Sequence, residues 1–220
     1  MNDTFDITAE QQYYDSGPKD YYESPAALIE NLMKLTIGDN WTDLLSGKKV
    51  LELGAGECSY VSYIISKSKP ASYIASDVFD FRYKHAQSNL KNRFSCLQFQ
   101  TIDATDINLD DNSVDLILGF GIYHHIPDLL DAFKEAWRIL KPNGMLVIRD
   151  PYRSNPLIYL KHKIHKYSKN EKPLILNATK KKLEMADFQI EKISRFWLRF
   201  PMLPGGIWST NIGIVARKPA

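Results

Sequence analysis

A glycine loop and two acidic residues lie where a nucleotide-like ligand could be bound. The loop Leu53-Gly54-Ala55-Gly56 follows an apolar run and precedes a helical pattern, and glycines in this context let the backbone approach a ligand closely. Asp77 ends the next apolar run, where a carboxylate can accept hydrogen bonds from both ribose hydroxyls of an adenosine. Asp103 ends a third run and could accept from an adenine amine. Each feature alone is also typical of an ordinary turn or a solvated strand end.

Glu52, two residues before the first glycine, helps to choose between ligands. A dinucleotide also uses a glycine loop followed by an acid at this distance, and Ser59 nearly matches the last small residue of that fingerprint. A carboxylate beside the loop is poorly placed for a pyrophosphate because like charges repel. It suits a ligand that carries an ammonium group and a sulfonium. An oxidoreductase with a nicotinamide dinucleotide stays open as an alternative.

The elements that position these residues are indicated by apolar periodicity. Five short apolar runs cover 50–53, 73–77, 96–102, 114–120 and 145–148, and helical patterns between most of them cover 60–66, 82–90 and 129–140. This alternation of buried strands with helices predicts βαβ units and a parallel sheet. Ser24 and Pro25 predict the start of an earlier helix, with Ser24 as its cap.

The last third of the chain has a different pattern. It predicts helices over 156–167 and 179–188, and two strands over 190–196 and 210–216. The connection over 197–209 contains prolines and glycines, so the two strands are expected to form a hairpin with a long tip at one edge of the sheet.

Composition narrows the class of protein. The chain has 220 residues, of which 44% are hydrophobic and 25% charged, as is ordinary for a soluble globular protein. A formal net charge of +2 is too small to suggest a nucleic-acid partner. Cys58 and Cys96 stand in no CxxC pair and near no histidine cluster, so we expect no metal site and no disulfide framework. This cysteine usage suits a reducing compartment, and we expect a cytoplasmic protein without a signal peptide or membrane span.

Taken in order, the motifs resemble those of class I S-adenosylmethionine-dependent methyltransferases, closely over residues 48–151 and in layout elsewhere. The series is Val50-Leu51-Glu52-Leu53-Gly54-Ala55-Gly56, Ser76-Asp77-Val78, Asp103-Ala104, Asp111-Asn112-Ser113-Val114-Asp115, Gly121-Ile122-Tyr123-His124-His125-Ile126-Pro127-Asp128 and Leu140-Lys141-Pro142-Asn143-Gly144. The resemblance implies an α/β fold with a Rossmann-like, doubly wound, seven-stranded sheet. That sheet is mostly parallel with an antiparallel C-terminal strand, and S-adenosyl-L-methionine lies across the carboxyl ends of its first strands.

The resemblance also assigns roles residue by residue. It implies that Glu52, Gly54, Ala55 and Gly56 contact the methionine end of the cofactor, and that Asp77 binds the ribose while Val78 packs on the adenine. It further implies that Asp103 and Ala104 contact the adenine edge, and that Phe120, at the end of the fourth strand, makes a backbone contact to the methionine part. The sequence departs from the family at Cys58, where a third glycine is usual.

Tyrosines near the N-terminus precede the sheet, as lid residues do in similar enzymes. They are Tyr13, Tyr14, Tyr21 and Tyr22, and Tyr14 is included among the expected cofactor contacts. Aromatic faces attract a sulfonium cation and exclude water, although packing on the first helix explains the cluster equally well.

The order of these segments predicts one domain over 1–220, with a lid and helix in 1–45, a cofactor-binding core in 46–151, and C-terminal helices and an edge hairpin in 152–220.

His124 and His125 are the candidate catalytic residues, since a histidine titrates near neutral pH and could take a proton from an acceptor hydroxyl. Methyl transfer from a sulfonium is an in-line displacement, and it requires a base only if the acceptor is protonated. The pair resembles a feature shared by family members with very different acceptors, which favours a positioning role. Because the two residues are adjacent, their side chains are expected to point in different directions.

Lysines and histidines cluster on the predicted helix 157–167, beside an apolar stripe. Such a helix could contact an anionic substrate or membrane surface, although a solvated face is the commoner explanation. The resemblance to class I methyltransferases implies methyl transfer, and we expect a small-molecule acceptor, methylated at oxygen or nitrogen, with no nucleic-acid partner. The alternative is a cofactor-binding module without transfer activity, as a subunit of a larger assembly.

Overall fold

A seven-stranded sheet forms the centre of the computed structural model, which describes residues 21–152, 155, 160, 172, 174–197, 205–206 and 208–220. Its strands are β1 (Lys49–Leu53), β2 (Ser72–Asp77), β3 (Leu97–Thr101), β4 (Val114–Phe120), β5 (Leu140–Pro151), β6 (Gln189–Phe196) and β7 (Asn211–Arg217). The helices within the described ranges are α1 (Ala26–Thr36), α2 (Trp41–Leu45), α3 (Val61–Ser68), α4 (Asp80–Leu90), α5 (Leu129–Ile139) and α6 (Leu176–Met185). A 3₁₀ turn, Tyr123–His125, follows β4.

The strand order is β3-β2-β1-β4-β5-β7-β6. The first five strands pair in parallel, and β7 lies antiparallel between β5 and β6. This confirms the predicted Rossmann-like sheet with its antiparallel last strand. The chain reverses its direction of winding between β1 and β4, and the crevice at such a switch point is where ligands bind in open α/β sheets.

Helices cover both faces of the sheet, so its central strands are apolar on both sides. Alternate residues of β1 enter different core layers. Val50 packs in the layer that contains Leu32 of α1 and Ile64 of α3. Leu51 packs in the opposite layer with Phe133 of α5. All five side chains are at most 1% exposed, which explains why β1 shows a continuous apolar run rather than an alternating one.

Several predicted boundaries were wrong at the residue level. Helix α1 begins at Ala26 with Pro25 as its N-cap, and no side chain caps it. Ser24 instead donates its backbone N–H to the carbonyl of Ser59 at 3.0 Å, which ties this segment to the start of α3. Strand β5 begins at Leu140, earlier than predicted, because the residues of the expected turn form an irregularity within the β4–β5 pairing.

Some predictions lie outside the described residues. They include Tyr13 and Tyr14, the basic helix 157–167 apart from one residue, and most of the connection over 197–209. The second predicted C-terminal helix is present as α6, shifted towards the N-terminus relative to 179–188. In the parts of the chain that the structure covers, no helix has the length and apolar character needed to cross a membrane.

Candidate active site

A cavity of about 520 Å³ opens at the carboxyl ends of the parallel strands. This volume falls within the roughly 300–1,000 Å³ typical of small-molecule sites. Every predicted cofactor contact within the described ranges lines it: Glu52, Gly54, Ala55, Gly56, Asp77, Val78, Asp103, Ala104 and Phe120. The remaining predicted contact, Tyr14, lies outside those ranges. Residues far apart in sequence therefore meet at one place because their strands end side by side.

Glu52 is a buried carboxylate at the cavity wall, with only 3% of its surface exposed. It accepts a hydrogen bond from the Tyr73 hydroxyl at 2.7 Å. Burial disfavours the charged form and raises the pKa of Glu52 to about 7, and the Tyr73 bond offsets only part of that effect. A cationic group in the cavity would favour the ionised form.

Asp77 joins the glycine loop to the end of β2. Its Oδ2 accepts from the backbone N–H of Gly56 at 3.0 Å, and its Oδ1 accepts from that of Phe79 at 3.2 Å. Burial raises the pKa of Asp77, while Arg82 and the two backbone bonds lower it. The carboxylate therefore shapes the loop in addition to lining the cavity.

The loop conformation explains why glycine is needed at its first position. Gly54 has φ +65°, in the left-handed region that favours glycine. A Cβ added there would lie 2.7 Å from Cδ1 of Ile122, in the segment after β4. A side chain at residue 54 would therefore push Ile122, and with it the segment after β4, away from the glycine loop.

Cys58 occupies the position at which the family usually has glycine, and its φ of +56° is also left-handed. Its backbone N–H donates to the carbonyl of Ala55 at 2.8 Å, and its Sγ contacts the carbonyl of Gly56 at 3.6 Å. Burial and the nearby carboxylates of Glu52 and Asp77 raise the pKa of the Cys58 thiol. The thiol therefore stays neutral, which makes it a packing residue rather than a nucleophile.

Asp103 is held in a local turn at the end of β3. Its Oδ1 accepts from both the backbone N–H and the hydroxyl of Thr105, each at 2.8 Å. Short acidic side chains commonly bond backbone two residues ahead in this way. The turn fixes the Asp103 carboxylate at the cavity wall beside Ala104.

The two histidines have different surroundings. His124 is buried, and its Nδ1 lies 2.5 Å from Oδ1 of Asp150, a carboxylate with no exposed surface. Asp150 also accepts from the backbone N–H groups of Tyr123 at 3.3 Å and His124 at 3.2 Å. His125 lines the cavity and His124 does not. The two rings nevertheless lie against each other, with 3.9 Å between their centroids, so the side chains do not diverge as their adjacent positions led us to expect.

Sequence reasoning missed several residues at this site. Asp150 carries no local signal, because its role depends on β5 lying beside the turn after β4. Arg82 at the cavity rim pairs with Glu57 at 2.9 Å, a contact between the first turn of α4 and the loop before α3 that spacing does not reveal. Asp128 could have been found, since an acid before an apolar helical pattern is a cap signal. It accepts from the backbone N–H of Leu130 at 2.9 Å and caps α5.

No group of three or more potential metal ligands occurs among the residues that the structure describes. The cavity's polar lining consists mainly of carboxylates, backbone amides and one ion-paired arginine. Such a set suits an organic ligand with hydroxyl and amine groups.

Residues 51–148 match the family described as "Methyltransferase domain". Among curated proteins, the chain is 31% identical over 111 residues to phthiotriol/phenolphthiotriol dimycocerosates methyltransferase of Mycobacterium leprae. That match covers 50% of this chain and 40% of the relative, so the chain spans about two fifths of the length of the relative it matches.

Solved structures with the same fold differ in their chemistry. An S-adenosylmethionine-dependent methyltransferase from Aquifex aeolicus superposes with a TM-score of 0.62 at 19% identity, covering 89% of this chain and 99% of that one. The [4+2]-cyclase SpnF superposes with a TM-score of 0.68 at 16% identity, covering 97% of this chain and 93% of that one. At these identities the likeness shows the fold alone.

Proposed function

Because residues 51–148 match a methyltransferase domain, we propose that the chain is a class I S-adenosylmethionine-dependent methyltransferase that transfers a methyl group from S-adenosyl-L-methionine to a small-molecule acceptor at oxygen or nitrogen. The observation that carries this proposal is the cavity at which Glu52, the glycine loop, Asp77 and Asp103 meet. The relative from Mycobacterium leprae, whose name specifies phthiotriol derivatives, supports a small-molecule acceptor over a macromolecule.

The residues present fit this cofactor. Glu52 and the loop 54–56 would hold the methionyl part, because a buried carboxylate suits an ammonium group and glycines allow close backbone approach. Asp77 would accept from the ribose hydroxyls, and Val78 offers an apolar surface that is 40% exposed for the adenine. Asp103 and Ala104 would meet the adenine edge, and Phe120 would contact the methionyl part through its backbone.

When bound, S-adenosyl-L-methionine supplies the electrophilic methyl group, so the protein's contribution is mainly orientation. The residues after β4 would align the acceptor with that methyl group, since reacting atoms held roughly 3–3.5 Å apart and aligned account for much of a rate enhancement. His125 lines this part of the cavity and could accept a proton from an acceptor hydroxyl or ammonium. Asp150 and His124 would hold the turn that carries His125.

The location and contacts of the protein stay predictions. We propose a cytoplasmic protein whose partner is the acceptor itself, without a nucleic-acid partner. Contact of the helix 157–167 with anionic membranes stays a subsidiary hypothesis, because that helix lies outside the described ranges apart from one residue.

The first experiment measures cofactor binding by calorimetry with S-adenosylhomocysteine. Asp77→Asn should weaken binding by about tenfold or more, as expected for loss of a charge-assisted hydrogen bond. Asp80→Asn is the matched control, because Asp80 is near in sequence but does not line the cavity. Free energies of unfolding should be measured for both variants, since Asp77 also shapes the loop. Binding of a nicotinamide dinucleotide in place of S-adenosylhomocysteine would contradict the proposal.

The second experiment measures transfer itself, because the cyclase with this fold demonstrates that the architecture also serves another reaction. Isotopically labelled S-adenosylmethionine would be incubated with a panel of alcohols, carboxylic acids and amines, and labelled product would be sought by mass spectrometry. Labelled product with the wild type, and none with Asp77→Asn at the same concentrations, supports methyl transfer. Tight cofactor binding with no product from any acceptor would favour the binding-module alternative.

A further inference from the structure

Arg149 lies beside residues that line the β4–β5 end of the cavity. In the parallel register it lies opposite Phe120, and residues in register share one face of a sheet. Phe120 lines the cavity. The Arg149 side chain therefore leaves the sheet on the side where the cavity lies.

The guanidinium of Arg149 lies close to two residues of the cavity wall. Its Nη2 lies 3.5 Å from the hydroxyl of Tyr60, and the Tyr60 ring meets the Phe120 ring edge-on at 6.3 Å. A Cβ added to Gly121 would lie 3.7 Å from Nη1 of Arg149, so no side chain at residue 121 separates the guanidinium from the cavity. Tyr60 and Gly121 both line the cavity.

The charge of Arg149 is not balanced by a neighbouring acid. Among the residues that the structure describes, Arg149 forms no ion pair, and its Nε is buried without a hydrogen-bond partner. Arg82, the arginine that lines the cavity on its opposite side, is paired with Glu57. A guanidinium is charged at every physiological pH, and a shielded charge is costly unless an anion accompanies it.

We propose that Arg149 and Tyr60 form a subsite for a small anionic group, a carboxylate or a phosphate, at the β4–β5 end of the cavity. The inference rests on the proposed function and deepens it by naming the chemistry of what occupies this end. The guanidinium can donate two parallel hydrogen bonds to such a group, and the Tyr60 hydroxyl can donate a third. The anion is carried either by the acceptor or by the methionyl part of the cofactor, and both sources present the same chemistry.

The first test follows the NMR signal of the Arg149 side chain itself and does not depend on cofactor binding. Protein labelled with ¹⁵N-arginine would be titrated with acetate and with inorganic phosphate, and the Nε–H signal of Arg149 would be identified by its loss in Arg149→Gln. A saturable shift of this signal is expected, with no shift at Arg195, an exposed arginine on β6. A signal of Arg149 that neither anion nor S-adenosylhomocysteine moves would overturn the subsite.

The second test separates the two sources of the anion. S-adenosylhomocysteine and 5′-methylthioadenosine, which lacks the amino-acid part, would be titrated into the wild type, Arg149→Gln, Arg149→Lys and the control Arg195→Gln. A loss of about tenfold or more for S-adenosylhomocysteine alone in Arg149→Gln assigns the subsite to the methionyl carboxylate, with Arg149→Lys intermediate because it lacks the bidentate fork. Unchanged affinity for both, with an acetate shift that persists in protein saturated with S-adenosylhomocysteine, assigns it to the acceptor.

The two proposals fail in distinguishable ways. If the wild type binds neither nucleoside but acetate still shifts the Arg149 signal, the anion subsite stands and the methyltransferase assignment fails. If the wild type binds S-adenosylhomocysteine, and Arg149→Gln matches it for both nucleosides while the Arg149 signal ignores acetate and phosphate, the subsite is wrong and the cofactor site stands.

Discussion

At the scale of single residues, Glu52 is expected to couple ligand binding to proton release. Its pKa of about 7 in the free protein is raised by burial, and a bound cationic group would lower it by favouring the carboxylate. Affinity for S-adenosylmethionine should therefore rise with pH from about 5.5 to about 7.5 and then level off, since protons leave Glu52 on binding below its free pKa. Calorimetry in buffers of different ionisation enthalpy would measure the released protons.

Glu52→Gln is the control for this coupling. It keeps the size of the side chain and the acceptor for Tyr73 but cannot ionise. Its affinity should be lower than that of the wild type above pH 7 and nearly independent of pH. A wild-type affinity that is flat across the range, or a pH dependence that persists in Glu52→Gln, would show that Glu52 does not face the cation.

Cys58 leads to a second residue-scale prediction, because its backbone is left-handed. A left-handed conformation costs a residue with a Cβ about 1–2 kcal/mol, which exceeds the roughly 0.5–1 kcal/mol of chain entropy that glycine loses on folding. Cys58→Gly should therefore be more stable than Cys58→Ala by roughly 0.5 kcal/mol or more, as measured by urea denaturation. At Ala55, which is not left-handed, Ala55→Gly should destabilise. A less stable Cys58→Gly than Cys58→Ala would mean that packing outweighs backbone strain.

Local signals in the sequence were sufficient to predict which residues meet at the cavity when those residues directly follow a strand. Asp77 and Asp103 follow apolar runs, so the parallel sheet alone brings them to one edge. Asp150 also ends a strand, but its role depends on which turn packs against it. The Glu57–Arg82 pair likewise depends on how α3 and α4 are placed, which periodicity within each helix does not specify.

At the scale of elements, the turn between β4 and α5 depends on a contact with β5. Asp150 holds the turn through two backbone amides and the His124 ring. His124→Gln should therefore lower the free energy of unfolding by about 1–2 kcal/mol, because a buried carboxylate loses a well-placed partner. His125→Gln should lower it by less than His124→Gln does, because His125 is only half-buried and packs on the His124 ring at 3.9 Å between centroids, whereas His124 itself bonds the Asp150 carboxylate. Urea denaturation of both variants measures the difference.

Reaction rates of the His125→Gln variant decide whether the enzyme uses a general base. We expect the single-turnover rate of His125→Gln to keep the pH profile of the wild type, because positioning can suffice for transfer from a sulfonium. A rate loss of roughly 10²–10⁴ in His125→Gln, with intact cofactor affinity and a vanished titration, would instead identify His125 as a general base. Equal stability losses in the two variants would contradict the division of roles between the histidines.

Strands were predicted better than short helices because apolar runs report burial directly. All seven strands correspond to predicted runs, although β5 extends beyond its prediction at both ends. Helix α2 has five residues, too few to show a helical period, and was missed. The 3₁₀ turn Tyr123–His125 was missed for the same reason. The proline and glycine before Met145 predicted a turn. In the structure these residues belong to β5 and form an irregularity in its pairing with β4, between Leu140 and Met145.

At the scale of the whole molecule, Lys218, the residue after β7, links that interior strand to the junction of α5 and β5. Its ammonium donates to Asn112 Oδ1 at 2.7 Å and to the carbonyls of Trp137 at 2.9 Å and Leu140 at 2.8 Å. It also lies 3.9 Å from the Trp137 ring centroid. Lys218→Met should lower the free energy of unfolding by about 2 kcal/mol or more, because it leaves the buried carbonyl of Leu140 and the partly buried carbonyl of Trp137 unpaired. Lys181→Met, at an exposed position of α6, should have little effect on the urea midpoint.

The antiparallel placement of β7 has a consequence for biosynthesis. β7 is the last strand in chain order, yet it fills an interior position between β5 and β6. A nascent chain that has released β5 and β6 but not β7 exposes two unpaired strand edges, and such edges favour aggregation. The sheet can close only after β7 leaves the ribosome, so we infer that β7 is inserted between two strands that are already released rather than added to a growing edge. Ribosome-bound chains with C-terminal linkers of increasing length, compared by limited proteolysis, would show protection of β5 only when the linker is long enough to bring β7 out of the exit tunnel.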